Sequence, residues 1–354
     1  MKSDSVIGCL LGTAVGDALG LPYEGLSPGR ARRLLGPPDR YHFIGRCGMV
    51  SDDTEHSRMV LEALLSSDSD PDRFETEFAR RLKWWLLCLP AGCGLATARA
   101  CLKLWLGFAP SSSGVFSAGN GPAMRSAVLG TMFEDVNVVL DFVRRSTRIT
   151  HTDPKALFGA QVVALAAWLN RQQQPFDGQQ FLALVERSLP SEAEELLTLL
   201  KSAGRSVQLG ETTPEFAASQ GMSHGVSGYV YQTVPVAIHA WLAHSDCYEN
   251  AVQAVIDCGG DADTTSAIVG GIVGAGVGPN GIPAALLSSL WEWPYTVDYL
   301  TKLASDCATA VDSCQRTSNQ SSRRWLMHPG VPLRNIVFLI IVLSHGFRRL
   351  LPPW

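Results

Sequence analysis

The sequence lacks a basic excess, paired cysteine motifs, strand-like alternation and long apolar runs, and each absence removes a class of protein. Its 29 Lys and Arg residues against 33 Asp and Glu give a net charge of −4 at pH 7. Without a basic face, no stable nucleic-acid partner is expected. The nine cysteines include no CxxC pair and no regular spacing. Their odd number, and the apolar neighbours of Cys88, Cys93 and Cys101, point to buried, reduced thiols in a cytoplasmic protein. No cleavage-site pattern follows Met1-Lys2-Ser3-Asp4, and Asp4 and Asp17 interrupt the first apolar stretch, which argues against a secretory leader. The apolar run Ile336–Leu343 has eight residues, short of the roughly 20 that cross a bilayer. No transmembrane segment is expected, and the tail reads as a terminal helix docked on the core or on a partner subunit, with an interfacial membrane anchor as the alternative.

What is present is globular: 354 residues, 46% apolar and 18% charged. That is enough for one large domain or two medium ones. Period-two alternation is rare, and apolar residues recur at helical spacing almost throughout. The pattern predicts helices over 54–66, 74–88, 230–244 and 247–257. It also predicts one opening at Asp153-Pro154 and running to about Gln172, and one over 191–203 that stops at Gly204. Loops are expected at Ser66–Asp72, Pro110–Pro122 and Thr317–Gly330. The fold class is all-α, with a core domain over 1–304 and an extension over 305–354 that carries the apolar helix.

Two glycine patterns stand out. Gly8, Gly12, Gly16 and Gly20 recur every four residues, and Ala267, Gly271, Gly274 and Gly278 form a similar series. On a helix each set is one bare stripe. Each glycine costs a helix about 1 kcal/mol relative to alanine, so the repetition implies a compensating contact: the two helices pack closely at the centre.

Chemistry concentrates in two aspartate clusters, Ser51-Asp52-Asp53-Thr54 and Gly259-Gly260-Asp261-Ala262-Asp263-Thr264. Ser, Asp and Thr are good helix N-caps, and capping is the simpler account of either cluster alone. A cap needs one residue, however, and each cluster holds two carboxylates and a hydroxyl. If the clusters converge, helix dipoles supply only about half a charge each. Protonation or a hard divalent cation must supply the rest. Spacing alone leaves both readings open.

These residues also carry a resemblance. Gly12-Thr13-Ala14-Val15-Gly16-Asp17-Ala18-Leu19-Gly20 and the two aspartate clusters are similar to three hallmark blocks of the ADP-ribosylglycohydrolase family. Gly119-Asn120-Gly121-Pro122-Ala123-Met124-Arg125, Thr150-His151 and Ser227-Gly228-Tyr229-Val230 match further blocks in the family's order, over roughly residues 4–300. The resemblance implies a compact multi-helix orthogonal bundle with a binuclear Mg²⁺ or Mn²⁺ cleft. The implied ligands are Ser51, Asp52, Asp53, Asp261, Asp263 and Thr264, with Asp263 bridging. Ser51 stands where the family often has Thr. Glu24, Asp53 and Asp261 are the implied catalytic carboxylates. Gly119, Asn120 and Gly121 would approach the diphosphate, His151 and Ser227-Gly228 would line the ADP-ribose, and Tyr229 would face the adenine. The implied reaction cleaves the N- or O-glycosidic bond of ADP-ribose on a protein side chain or small acceptor. Alternatives are hydrolysis of another derivative such as an O-acyl ester, and a non-catalytic, crystallin-like ADP-ribose binder.

Other residues read as structure. Asp17 is expected to be a buried structural carboxylate. His56, His224, His239, His244 and His345 are expected in core or surface positions, and Trp84, Trp85 and Trp168 in the core.

Overall fold

The computed structural model describes residues 2–172, 178–312 and 328–352. Among these residues there are helices, turns and isolated bridges but no β-strand, so the all-α expectation holds. In chain order the helices are α1 (Lys2–Gly20), α2 (Pro28–Leu34), α3 (Asp52–Ser66), α4 (Pro71–Leu86), α5 (Leu95–Trp105), α6 (Pro110–Ser113), α7 (Gly121–Met124), α8 (Ala127–Met132), α9 (Val136–Arg148), α10 (Pro154–Asn170), α11 (Gly178–Ser188), α12 (Glu194–Gln208), α13 (Thr213–Ser219), α14 (Val230–Ala243), α15 (Tyr248–Ile256), α16 (Ala262–Val277), α17 (Ala284–Ser288), α18 (Val297–Asp312) and α19 (Gly330–Arg349).

Local chemistry explains many boundaries. Ser51, Asp70, Asp135 and Asp153 accept bonds from first-turn amides of α3, α4, α9 and α10. Thr212 and Glu215 close a reciprocal capping box at α13. Three expectations need correction. α4 begins at Pro71, because Asp70 caps it and proline suits the first helical position. α12 begins at Glu194 after a short 3₁₀ turn and passes through Gly204, which faces the Leu182 side chain of α11. The glycine that ends it is Gly210, at φ 76°. The expected loop over Pro110–Pro122 contains α6 and the start of α7. The loop expected at Thr317–Gly330 falls mostly outside the described residues.

The core is organised around α1 and α16. A Cβ added at Gly8, Gly12 or Gly16 would stand 2.2 Å from the carbonyl oxygens of Gly274, Gly270 and Ser266, and one at Gly20 would stand 2.4 Å from that of Ala262. Backbone therefore rests on backbone. The stripe facing α1 is Ala262, Ser266, Gly270 and Gly274. The series through Ala267 and Gly271 lies one residue, or about 100°, around the helix. Gly271 meets the Thr13 side chain of α1 and Ala127 of α8 rather than the α1 backbone at Gly12, while Gly274 and Gly278 of the expected series both lie against Gly8. α10 and α14 pack against this pair, with fully buried Val162, Val163, Ala237 and Trp241 among their contributions.

Trp85 is buried, but Trp84 is 44% exposed and stacks edge-on against Trp105, because consecutive helical residues point about 100° apart. Trp168 is half-buried and donates to Glu134 O. The described cysteines are free, with Cys88 and Cys101 buried and Cys93 half-buried. By length and hydropathy the segments Lys2–Tyr23 and Gly330–Arg349 could each cross a bilayer. The apolar window of the first is 89% buried inside the protein, and that of the second 22%. α18 continues unbroken through residue 304. α19 lies along the core on one face, burying Val331, Arg334, Asn335 and Phe338.

The α1–α16 contact leads to a direct expectation. Gly12→Leu or Gly16→Leu should destabilise the fold by about 3 kcal/mol or more, since no rotamer change relieves a clash with backbone. Gly29→Ala, with open space around it, should be neutral or slightly stabilising. Urea unfolding of the three variants checks this, and a Gly12→Leu protein as stable as the parent would refute the packing argument.

Candidate active site

Four chain segments meet above the first turns of α3 and α16. The Gly259-Gly260 turn, with φ of 67° and 81°, is the clasp. Gly25 N donates to Gly260 O at 2.7 Å and Gly260 N to Leu26 O at 2.8 Å, while Asp261 N donates to Val226 O at 2.7 Å. A Cβ at Gly260 would lie 2.0 Å from Val226 O, so only glycine permits this approach. The Val226–Tyr229 segment passes the connection onward: Asn120 N donates to Gly228 O and Val230 N to Ala118 O, both at 3.0 Å. The result is a cleft of about 560 Å³, within the roughly 300–1,000 Å³ of small-molecule sites. Glu24, Asp52, Gly119, Asn120, Gly121, His151, Ser227, Gly228, Asp261, Asp263 and Thr264 all line it.

The aspartates at the floor are not ordinary caps. Ser51 takes the capping role at α3, accepting from Asp53 N at 3.3 Å. Asp17 of α1 accepts from Ser51 N, Thr54 N and the Thr54 hydroxyl, as a structural carboxylate should. Asp261 makes no side-chain cap to α16. Its Oδ2 accepts instead from Asn120 Nδ2 at 2.6 Å, and Asn120 also donates to Thr233 Oγ1. Asp53 Oδ2 accepts from Ser51 Oγ at 3.0 Å and Thr264 Oγ1 at 3.3 Å, which joins the two clusters. Asp53 Oδ1 and Asp263 Oδ1 are buried without a hydrogen-bond partner.

The electrostatics follow from this crowding. Burial raises the carboxyls of Asp52, Asp53 and Asp263 well above the usual aspartate range, and neighbouring carboxylates raise them further: Asp17 for Asp52 and Asp53, Glu24 and Asp261 for Asp263. Burial likewise raises Asp17 to about 6, against its hydrogen bonds. Glu24 opens onto the cleft mouth, yet desolvation and the Asp261 charge raise it, with Arg349 opposing. Among the described residues, no group of three or more His, Cys, Asp or Glu side chains is arranged to hold a metal ion. The donor chemistry nonetheless fits a hard cation: carboxylates and hydroxyls only, with two buried oxygens unpartnered.

His151 lies beneath the Gly119–Gly121 loop, its ring 3.2 Å from the Cβ position of either glycine. Burial, then the Arg125 charge, lower it to about 3, so the imidazole is neutral. Arg125 Nη2 donates to Thr150 Oγ1 at 2.7 Å, and that hydroxyl faces His151 Nδ1 at 2.9 Å. Thr150 Oγ1 also reaches Thr147 O at 3.4 Å, so this hydroxyl links Arg125, the α9 C-terminus and the imidazole, and His151 Nε2 faces the loop at Gly119. Tyr229 is not brought into the cleft wall; its phenol accepts from Lys155 Nζ at 2.9 Å. Ser227 Oγ donates to Gln232. His56 and His239 are buried, His224 exposed and His244 half-buried, as structural histidines.

Sequence reasoning missed several contributors. Arg125, fully buried, bonds Gly121 O and Ser146 and so fixes the loop against the Thr150-His151 segment. The Asn120–Asp261 bond and the approach of Arg349 to Glu24 join residues too far apart for any pattern to show. Gly92, Gly94 and Thr97 also line the cleft.

This geometry defines a class: an all-α enzyme with an acidic, loop-roofed cleft at converging helix starts. The sequence profile described as ADP-ribosylglycohydrolase matches residues 2–317, and the chain belongs to that family. An uncharacterised protein of Archaeoglobus fulgidus is 33% identical over 83% of this chain and 94% of its own length. The ADP-ribosyl-dinitrogen reductase glycohydrolase of Rhodospirillum rubrum is 29% identical, covering 81% and 90%. The human ADP-ribosylhydrolase ARH3 is 26% identical, covering 78% and 86%. A solved structure titled ADP-ribosylglycohydrolase-related protein complex superposes with a TM-score of 0.65 at 27% identity, over 88% of this chain and 99% of that one. The named relatives are hydrolytic enzymes, and the activity of the family is hydrolysis of ADP-ribose linkages.

The raised carboxyls have a consequence for stability. A group that binds its proton more tightly when folded stabilises the fold at low pH and loses that contribution as pH rises past the ordinary aspartate range. In chelator, Asp263→Asn should therefore gain more stability over the parent at pH 8 than at pH 5. The comparison is between variants because His56, His151 and His239, whose burial lowers their proton affinity, favour the fold as pH rises over the same range. Scanning calorimetry in EDTA measures both, and an Asp263→Asn protein with no larger advantage at pH 8 than at pH 5 would contradict the assignment.

Proposed function

We propose that this chain is a divalent-cation-dependent hydrolase of the N- or O-glycosidic bond joining ADP-ribose to a protein side chain or small acceptor. One observation carries the reading: Asp52, Asp261 and Asp263 line one cleft with Glu24, Asp53 lies buried beside them bonded to Ser51 and Thr264, and one oxygen each of Asp53 and Asp263 is buried without a partner. Ser51, Asp52, Asp53, Asp261, Asp263 and Thr264 would hold two Mg²⁺ or Mn²⁺ ions. When bound, such ions supply Lewis-acid charge and lower the pKa of water.

The chain's own groups account for the rest. The ribose end of the substrate is placed at the carboxylate floor. The diphosphate lies against Gly119–Gly121, where the neutral His151 turns its Nε2 toward the loop and the absent side chains allow close approach. Asn120 does more than turn the loop: by donating to Asp261 Oδ2 it fixes that carboxylate's orientation. Glu24, at the mouth, is placed to accept a proton from an attacking water or to assist the departing acceptor. The separation into a positioned floor and an exposed carboxylate resembles two-carboxylate glycoside hydrolysis.

Calorimetric titration of ADP-ribose in Mg²⁺ and again in chelator tests the reading, followed by assays on ADP-ribosylated arginine, serine and O-acyl ADP-ribose. Binding should require the cation. Asp53→Ala and Asp263→Ala should lower turnover at least about a thousandfold, with helical circular dichroism retained. Binding without turnover of any acceptor would favour the non-catalytic reading, and no binding in either condition would remove ADP-ribose as the ligand.

A further inference from the structure

We propose that α19 is a positioning strap of the active site, holding through Arg334 and Arg349 the two chain segments that carry Asp52/Asp53 and Glu24. The inference rests on reading the cleft as the hydrolytic site and goes beyond it, since α19 lies outside the family-matched residues 2–317.

Arg334, Phe338, His345 and Arg349 are spaced by four, seven and four residues and so share one face of the helix. At one end, Arg334 is 3% exposed. Its Nη2 donates to Val50 O at 2.5 Å, and its Nε and Nη2 form a two-point pair with Glu292 at 2.9 and 2.7 Å. Glu292 Oε2 in turn accepts from Val50 N at 3.2 Å. Both backbone polar groups of Val50, the residue just before Ser51-Asp52-Asp53, are therefore held by one buried ion pair. In the middle, Phe338 packs on Phe43, and His345 stacks on the same ring and bonds Phe43 O at 2.7 Å.

At the other end, Arg349 Nη1 donates to Glu24 O at 2.7 Å and Nη2 to Pro22 O at 2.8 Å. Arg30 of α2 donates back to the Arg349 carbonyl. A planar guanidinium bridging two carbonyls in one turn restricts that turn more than a single point charge would. Arg349 does not line the cleft. It holds Glu24 through the backbone carbonyl, as a positioning residue, and its charge also faces the Glu24 carboxylate.

The test uses the full chain with Arg349→Gln, Arg349→Lys and, on the exposed face, Leu343→Ser as control. Arg334 is avoided because its removal would strand buried Glu292. With the ADP-ribosylated acceptor that the parent cleaves, Arg349→Gln should lose about ten- to a hundredfold in kcat, the scale of a misplaced catalytic group. Its ADP-ribose Kd should stay within about twofold, as expected when ground-state binding is untouched. Arg349→Lys should recover part of the loss, and Leu343→Ser should match the parent. Hydrogen exchange should quicken at residues 22–26 and remain unchanged at 50–53. Parental kcat in Arg349→Gln, a loss shared equally by kcat, Kd and melting temperature, or unchanged exchange at 22–26 would each overturn the strap. A parent that neither binds ADP-ribose nor cleaves any acceptor would instead defeat the functional reading, and the exchange at 22–26 would then decide the strap alone.

Discussion

The separation of the two aspartate clusters depends on how closely α1 and α16 approach. Four glycines on α1 rest on carbonyls of α16, and the contact leaves no room for a methyl group. Asp17, on the same helix, accepts the amides that open α3, so α1 places Asp52 and Asp53. α16 places Asp261 and Asp263 at its own start. Widening the interhelix gap by one side chain would carry the two pairs apart and break the Thr264–Asp53 bond that joins them.

Around that frame the protein assembles a site that is costly by ordinary folding criteria. Desolvation, and then neighbouring carboxylates, raise the proton affinity of Asp52, Asp53 and Asp263, and two oxygens lack partners. Such features are retained where function demands them and where the surroundings over-determine the geometry. Here the over-determination is visible. The Gly259-Gly260 clasp is bonded on both sides, Asn120 holds Asp261, and Arg125 ties the roof loop to the His151 segment. The rigid parts are thus those that would have to keep a cation and a ribose in register, whereas the cleft mouth, where Glu24 lies, is open.

α19 adds a second level of support from outside the family-matched residues 2–317. Its polar face is committed to Val50, Phe43, Pro22 and Glu24, whereas Leu333, Ile336, Ile340, Leu343 and Phe347 on the other side remain exposed. One helix therefore links the floor of the cleft, its mouth and an apolar outer surface.

Much of this was legible in the linear chain. The helical period, the Asp-Pro and Ser-Asp starts, the glycine repeat of α1 and the two aspartate clusters are local features, encoded within a turn or two of helix, and the structure keeps them. The sequence likewise showed that α1 must meet a partner closely. It did not show that Gly270 rests on the α1 backbone at Gly12 while Gly271 meets the Thr13 side chain, because a one-residue rotation leaves the stripe equally small. Nor could it show that Gly204 lies within α12, because a glycine pressed against a neighbouring helix and a glycine that ends one look alike in the chain. Tertiary structure alone decided the contacts between distant residues: Asn120 with Asp261 across 141 positions, and Arg349 with Glu24 across 325. Those bonds depend on the rotation and spacing of whole helices, which arise from packing summed over the entire core, and no short stretch of sequence contains that sum.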